Sequence, residues 1–265
     1  MTSHAALNFE LPPDLQEIIR DYNWERNTTS GTPVNVFRLT TSNSPSFYLK
    51  INSPRSGFDL SAEKERLKWL TGKLSVPRVL YYARHHSKEY LLLSELKGVP
   101  SHDSSLKKQR LEVVSLLARG LHLIHSVDIS SCPFDNSLEV QTRRAISRME
   151  SGFVNEKQFD AKRQGKTAFS LYQELLATKI GIEDLIFTHG DYCLPNILIY
   201  DGKLSGFIDM GNAGISDRYQ DVALCVRSIT YNFGEKLVPI FLQEYGLETV
   251  DWHKIEFYQL LDEFF

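Results

Sequence analysis

The three cysteines of this chain, Cys132, Cys193 and Cys225, are too few and too widely spaced to staple a small domain. No pair of them sits at C-x-x-C spacing, so neither a disulfide framework nor a zinc site is signalled. No stretch reaches the ~18 consecutive apolar residues that a membrane span requires. The first twenty residues lack the basic start and apolar run of a secretory signal, so the Asn27-Thr28-Thr29 sequon is taken as chance and the chain is expected in the cytoplasm. An excess of positive charge is missing too. Thirty Lys and Arg stand against 33 Asp and Glu, a net charge of −3, so nucleic acid is not the expected partner. There is no G-x-G-x-x-G, hence no dinucleotide fingerprint, and no internal repeat or low-complexity tract. With 15 Gly and 10 Pro the chain is neither collagenous nor compositionally disordered. What remains is an ordinary globular chain of 265 residues, able to bury roughly three quarters of its unfolded surface. It is expected to be a monomer or weak dimer.

The first hundred residues read as strand-rich. Residues 34–39 and 46–51 are β-branched and aromatic runs separated by a polar, Pro-containing cluster, a hairpin signal. Residues 60–74 read as a helix with Leu60, Leu67, Leu70 and Leu74 on one face, decaying at Gly72 and Pro77. Residues 79–82 and 89–94 read as two further strands. The break at Lys97-Gly98-Val99-Pro100 marks a boundary between a first lobe, residues 1–96, and a second, residues 97–265. The second lobe is mostly helical, with helices expected over 107–125, 137–152, 167–176, 217–229 and 235–245. Among them lie two short strand-like runs, 197–200 and 204–208, joined by the hairpin dipeptide Asp201-Gly202.

Several short motifs carry no chemistry on this reading. Gly165-Lys166-Thr167 resembles the end of a P-loop, but the required glycine is Asp160 and no strong strand precedes it. Ser104-Ser105-Leu106-Lys107 matches S-x-x-K within a polar stretch that lacks the accompanying motifs, so it reads as loop. His122 and His125 lie three apart among Leu121, Leu123 and Ile124, which favours a core-side histidine over a metal pair. His85-His86 adjoins a turn and is expected to face solvent.

The informative segment is His189-Gly190-Asp191, with Asn196 five residues after the aspartate at the mouth of an apolar strand. A hairpin follows, then Gly206-Phe207-Ile208-Asp209-Met210-Gly211. This is the layout of protein kinases, where a catalytic-loop Asp and Asn precede a metal-binding Asp next to glycine. Phosphoryl transfer is catalysed mostly by position and charge. One carboxylate must face the attacking hydroxyl, and a second carboxylate with a neutral oxygen must hold Mg²⁺ on the phosphates. Placing Asn196 and Asp209 on the two arms of one hairpin brings both ligands to the same end, with Asp191 carried over it.

The upstream lobe offers what a nucleotide needs. Lys50 ends a strand, and Glu63, 13 residues on in a helix, is placed to pin it over phosphates. The loop from Thr28 to Pro33 supplies amides for phosphate. Residues 91–96 precede the lobe break and would meet adenine as a hinge, with Tyr48 or Phe47 packed on the base. Only 56 residues follow Asp209, too few for the activation segment and late helices of a protein kinase, so the acceptor is expected to be a small molecule.

These residues resemble the aminoglycoside 3'-phosphotransferases, bacterial antibiotic kinases, from about Trp24 to the end of the chain. The resemblance is carried by His189-Gly190-Asp191 with Asn196, Ser205 to Gly211, Asp217-Arg218-Tyr219-Gln220-Asp221, Cys132-Pro133-Phe134 and the closing Leu260-Leu261-Asp262-Glu263-Phe264-Phe265. It implies an α+β, two-lobed protein-kinase-like fold with an antiparallel-sheet N-lobe carrying one helix and a mainly helical C-lobe. It implies ATP and Mg²⁺, and transfer to the 3'-hydroxyl of a kanamycin- or neomycin-type drug. By that resemblance Asp191 is the catalytic base, Asn196 and Asp209 bind Mg²⁺, and Lys50 and Glu63 grip phosphate. Tyr48 stacks on adenine, Ser94 and Leu96 give hinge backbone contacts, and Thr32 stands where the family has a phosphate-loop serine. Arg227, Glu263, the terminal carboxylate of Phe265 and Asp160 belong to the drug site. An acidic tail suits a polycation, since each charge-assisted bond contributes about 1.5–3 kcal/mol.

Three departures from the family pattern stand out: Ser30 for a loop glycine, Asn212 for an arginine, and a run Asp160-Ala161-Lys162-Arg163 that is less acidic than the family's. At this stage two alternatives stay open. One is a related kinase of choline, homoserine, a sugar or a macrolide. The other is a catalytically inactive nucleotide-binding regulator, which would have no need of the complete Lys, Glu, Asp, Asn and Asp set.

Overall fold

The computed structural model describes residues 10–27, 34–42, 44–53, 58–178 and 180–265. The phosphate-loop expectations at Ser30 and Thr32, and the sequon threonines, lie outside the described residues. The chain divides into two compact units, one ending at Lys97 and the other beginning at Gly98.

The first unit is built on an antiparallel sheet of β1 (Asn23–Asn27), β2 (Asn35–Thr40), β3 (Phe47–Asn52), β4 (Val79–His85) and β5 (Lys88–Ser94), ordered β1-β2-β3-β5-β4. Alternate side chains of a strand face opposite sides, and here that decides which residues make core and which make site. Phe37 and Leu39 of β2, Leu49 and Ile51 of β3, and Tyr90 and Leu92 of β5 bury one face against Leu11, Leu15 and Ile19. Those three flank or belong to a short helix, α1 (Pro13–Ile18), which composition does not foretell, so the described residues of the unit hold two helices where one was expected. The opposite parity of β3 carries Tyr48 and Lys50, opposite Leu93 and Leu91. The helix α2 (Leu60–Leu70) begins at Asp59, whose carboxylate accepts from the Ser61 and Ala62 amides, a normal N-cap. It stops four residues short of the expected end, with Gly72 just beyond at φ +81°. Its buried stripe is Leu60, Glu63, Leu67 and Leu70.

The second unit contains α3 (Arg110–His125), α4 (Leu138–Glu150), α5 (Ala168–Ala177), α6 (Tyr219–Phe233), α7 (Val238–Tyr245) and α8 (Trp252–Asp262). Two small sheets hold the loops between them. One orders β6 (Val99–Pro100), β8 (Ile197–Tyr200) and β9 (Lys203–Phe207); the other pairs β7 (Leu185–Thr188) with β10 (Gly214–Asp217). The β8–β9 turn has Asp201 at φ +50° and Gly202 at φ +68°, the left-handed pair that a two-residue hairpin demands. Helix α6 packs against α8 and α7, and α3 against α7. Among the described residues no helix is long and apolar enough to cross a membrane.

Some expectations shift at element ends. Residues 104–109 form a tight 3-10 turn capped by Asp103, and α3 starts only at Arg110. The helix expected from Asp217 starts at Tyr219, because Asp217 closes β10 and its carboxylate accepts the Tyr219 amide at 2.8 Å. Lys166 is no phosphate ligand here: it pairs with Glu174 at 2.7 Å while Thr167 and Ser170 form the capping box of α5. His125 is a bonded core histidine, 2.6 Å from the Tyr245 hydroxyl, whereas His122 is exposed.

Candidate active site

In the first unit, Lys50 Nζ lies 2.7 and 2.8 Å from the two Glu63 oxygens. The side chains are 13% and 4% exposed, so this is a largely buried ion pair. It explains an acid inside the leucine stripe of α2, since a charge buried there has to be paired. Tyr48 is half-buried on the same parity as Lys50; burial, then the charge of Glu95, raises its hydroxyl pKa. Ser94 is bonded to the neighbouring strand. Its amide donates to the Arg78 carbonyl and its hydroxyl accepts the Arg78 amide, both at 2.9 Å. Leu96 lies beyond the last cross-strand bond, from Glu95 N to Ser46 O.

In the second unit, β7 delivers His189-Gly190-Asp191 and the hairpin delivers Asn196 and Asp209. The loop is held from beneath by Asp221 of α6, fully buried, which accepts the His189 amide at 2.7 Å and the Gly190 amide at 2.9 Å on separate oxygens. Gly190 has φ +82°, and a Cβ there would stand 2.1 Å from the Asn212 carbonyl oxygen, so only glycine fits. His189 is buried with Nε2 3.0 Å from the Ile208 carbonyl, and its Nδ1 accepts the Asp191 amide at 3.3 Å. Those bonds assign the proton to Nε2 and make His189 a brace for the loop.

Asn196 fixes Asp191. Its amide nitrogen donates to the Asp191 carboxylate at 2.8 Å and to the Asp191 carbonyl at 3.0 Å. Both N–H bonds are thereby spent, and the amide oxygen is the atom left to act as a ligand. The Asn196 carbonyl accepts the Ile208 amide at 3.0 Å, continuing the hairpin, and the next residue, Asp209, turns out of the strand in a left-handed conformation, φ +61° and ψ +50°. A non-glycine residue held there stores strain of about 1–3 kcal/mol, a cost seen where a side chain must be aimed. Burial raises the Asp191 pKa, and the like charges of Asp262 and Asp209 raise it further against the opposing pull of His189. The Asp209 carboxylate and the Asn196 amide oxygen are hard oxygen donors, the kind that would suit Mg²⁺. Among the described residues there is no cluster of three or more His, Cys, Asp or Glu placed to hold a metal ion.

The closing segment is docked. Phe264 is buried, and Arg148 donates to the Phe264 and Phe265 carbonyls at 2.7 and 3.1 Å. The guanidinium of Arg144 stands 5.2 Å from the Phe265 ring centre. Arg227 pairs with Asp262, and its second nitrogen is 3.9 Å from Glu263. The Glu263 carboxylate accepts the Asp160 amide at 3.2 Å. Thus Asp160, Arg227, Glu263 and Phe265 are gathered in the unit that carries Asp191. Asn212 bonds through its side-chain oxygen to Arg144 at 3.1 Å, so an arginine reaches that spot from α4. Asp221, Arg148 and Arg163 have structural weight that the sequence reading does not assign. The signal for Asp221 is a carboxylate at the head of the apolar run Val222 to Val226, which requires a buried partner.

A carboxylate braced by an amide, a second carboxylate across the hairpin end and a separate Lys–Glu clamp define a kinase-like phosphotransferase. The chain belongs to the phosphotransferase enzyme family, whose model matches residues 28–258. It is 37% identical over 259 residues to an aminoglycoside 3'-phosphotransferase of Niallia circulans, covering 96% of this chain and 97% of that one. It is 36% identical over 262 residues to one of Enterococcus faecalis, covering 96% and 98%. Among solved structures it resembles aminoglycoside-3'-phosphotransferase of type VIII, with a TM-score of 0.87 and 31% identity over 95% of this chain and 97% of that one.

Proposed function

We propose that this chain is an aminoglycoside 3'-phosphotransferase of the cytoplasm, transferring the γ-phosphoryl of ATP to the 3'-hydroxyl of kanamycin- and neomycin-type drugs. The observation that carries this reading is Asp191, held by Asn196 at 2.8 Å within electrostatic reach of the acidic segment at Asp262. The near full-length likeness to enzymes named for that reaction supports the choice of acceptor.

Asp191 orients the drug hydroxyl and takes its proton as the oxygen–phosphorus bond forms and the bond from the γ-phosphorus to the β–γ bridging oxygen breaks. Its raised pKa makes it a stronger base than an ordinary aspartate while leaving it ionised above its own pKa. Mg²⁺, when held by Asp209 and the Asn196 oxygen, supplies neutralising charge at the phosphates. Lys50, kept in place by Glu63, is the phosphate-gripping cation of the first unit. Tyr48 covers the adenine, with the Ser94 carbonyl and Leu96 backbone as edge contacts. The drug's ammonium groups are taken by Asp262 and by the group of Asp160, Glu263 and Phe265 that Arg227 helps to order. A phosphate added to the drug cancels part of the positive charge that binds ribosomal RNA, which produces resistance.

Drug-dependent ADP release from Mg²⁺-ATP with kanamycin and neomycin, followed by NMR of the product, tests this directly. A monophosphate on the 3'-oxygen is the expected product; no drug-dependent release with either compound would refute it. Lys50→Met should lower kcat/KM for ATP by about ten- to a hundredfold, the weight of one charge-assisted contact. Its affinity for neomycin, read by calorimetry, should not change.

A further inference from the structure

Glu89 stands near the start of β5, directly opposite Asn52 of β3. Asn52 and Lys50 are two residues apart on β3, so Glu89, Asn52 and Lys50 share one face of the sheet. The Glu89 side chain is 9% exposed, and both its oxygens are bonded. Oε2 accepts the Leu60 amide of α2 at 3.1 Å and the Asn52 side-chain amide at 3.2 Å. Oε1 accepts the Tyr82 hydroxyl at 2.7 Å and the Arg84 guanidinium at 3.2 and 3.3 Å. Burial opposes its ionisation, but the bonds from Tyr82, Leu60, Asn52 and Arg84 outweigh burial and hold its carboxyl below the usual carboxylate range. Asn52, fully buried, also donates to the Phe58 carbonyl at 2.8 Å, which ties β3 to the residues leading into α2.

The first amides of a helix have no partner within it, and the helix dipole favours negative charge beside them. Asp59 caps the Ser61 and Ala62 amides, and Glu89, reaching from the sheet, takes the Leu60 amide. Leu60 and Glu63 lie three apart, neighbours on one face of α2. Two bridges therefore run side by side from the sheet to the first turn of α2. One joins Lys50 to Glu63 through side chains; the other joins Asn52, through Glu89, to the Leu60 backbone. A lysine–glutamate clamp of this kind grips phosphate only while its helix is held in place. We infer that Glu89 is a positioning residue for the nucleotide: it holds the first turn of α2 on β3 and β5, so that Glu63 presents Lys50 to the phosphates. This inference rests on the nucleotide half of the proposed function.

The test is a double-mutant cycle in the full chain between Glu89→Ala and Lys50→Met, read as calorimetric affinity for Mg²⁺-ATP, with thermal unfolding and neomycin affinity measured alongside. With Lys50 present, Glu89→Ala should weaken ATP about tenfold, or about 1.4 kcal/mol. In the Lys50→Met background it should weaken ATP by less than about twofold, because a displaced helix acts only through the clamp. Neomycin affinity should hold in all four proteins. A residue that merely supports the fold lowers the melting temperature and leaves ATP affinity within about twofold, or weakens ATP equally in both backgrounds; either result in folded proteins overturns the inference. Asn52→Ala decides if Glu89→Ala does not fold, since it cuts only the β3 arm and leaves Glu89 its bonds to Leu60, Tyr82 and Arg84. Its loss of ATP affinity should be about fivefold and confined to chains that keep Lys50; no loss, or an equal loss without Lys50, overturns the inference. Turnover separates the two claims. The expected cycle in a protein that phosphorylates neither kanamycin nor neomycin sinks the choice of acceptor alone. Drug turnover with additive losses of ATP affinity sinks the inference alone.

Discussion

Asp191→Asn should lower kcat for kanamycin by about 10²–10⁴, the usual contribution of a positioned general base. Asparagine can still accept from the Asn196 amide, which lies 2.8 Å from the native carboxylate, so the loop should keep its form. What disappears is the ability to take the hydroxyl proton, and ADP and drug affinities should stay near their native values. The environment adds a pH signature. Burial, then Asp262, then Asp209 push the Asp191 pKa upward. The active form is the carboxylate, so activity falls as pH drops through that raised pKa, and the acid limb of kcat/KM lies above the position of an ordinary aspartate. Asp262→Asn removes one of the two like charges and should move that limb to lower pH, whatever it does to drug affinity. A pH–rate series on the three proteins checks both statements. Retention of kcat by Asp191→Asn within about threefold would require a different base.

The residues proposed to carry the chemistry were legible because their spacing is local. Asp191, Asn196 and Asp209 lie within one loop and one hairpin, and Asp201-Gly202 announces that hairpin through its turn geometry. Lys50 and Glu63 were legible as a possible pair, because the strand-end lysine and the helix acid sit 13 residues apart, and the ion pair exists. Strands β7 and β10 were not legible. Each is four residues long, β10 contains Gly, Ser and Asp, and their partnership joins Gly214 to Thr188 across 26 positions. Helix α8 escaped for another reason. It is buried on several sides, at Ile255, Phe257, Tyr258, Leu260 and Leu261, so no single apolar stripe marks it. Lys254 and Gln259, of types usually exposed, are buried in it against Asp217 and the Ala223 carbonyl. The weakened acidity of residues 160–163 was visible in composition. That Arg163 turns inward to bind Asp160 and Glu263 depends on α8 lying beside it, which no local pattern encodes.

The second large effect is expected from Asp221, a positioning residue with no contact to substrate. One carboxylate oxygen takes the His189 amide at 2.7 Å and His125 Nε2 at 3.2 Å, while the other takes the Gly190 amide at 2.9 Å. Asp221→Ala strips both amides and His125 of their acceptor inside the core and should cost about 3–5 kcal/mol of unfolding free energy in urea titration. Asp221→Asn should cost less, about 1–3 kcal/mol, since one oxygen remains and a single buried N–H is left facing an NH₂ group. The kinetic consequence follows from the bonds lost. The two amides immediately precede Asp191, so freeing them loosens the base and lowers kcat, whereas the acids around Asp262 keep their places and drug affinity should hold. Measured below the melting transition, a fall in kcat with constant neomycin binding is therefore the signature of lost positioning, and a parallel loss of both would be simple destabilisation. The order also matters. Alanine must be worse than asparagine if the two amides are satisfied only by this carboxylate, and equal small losses would mean that water replaces it and that the loop is held chiefly by His189 and Asn196.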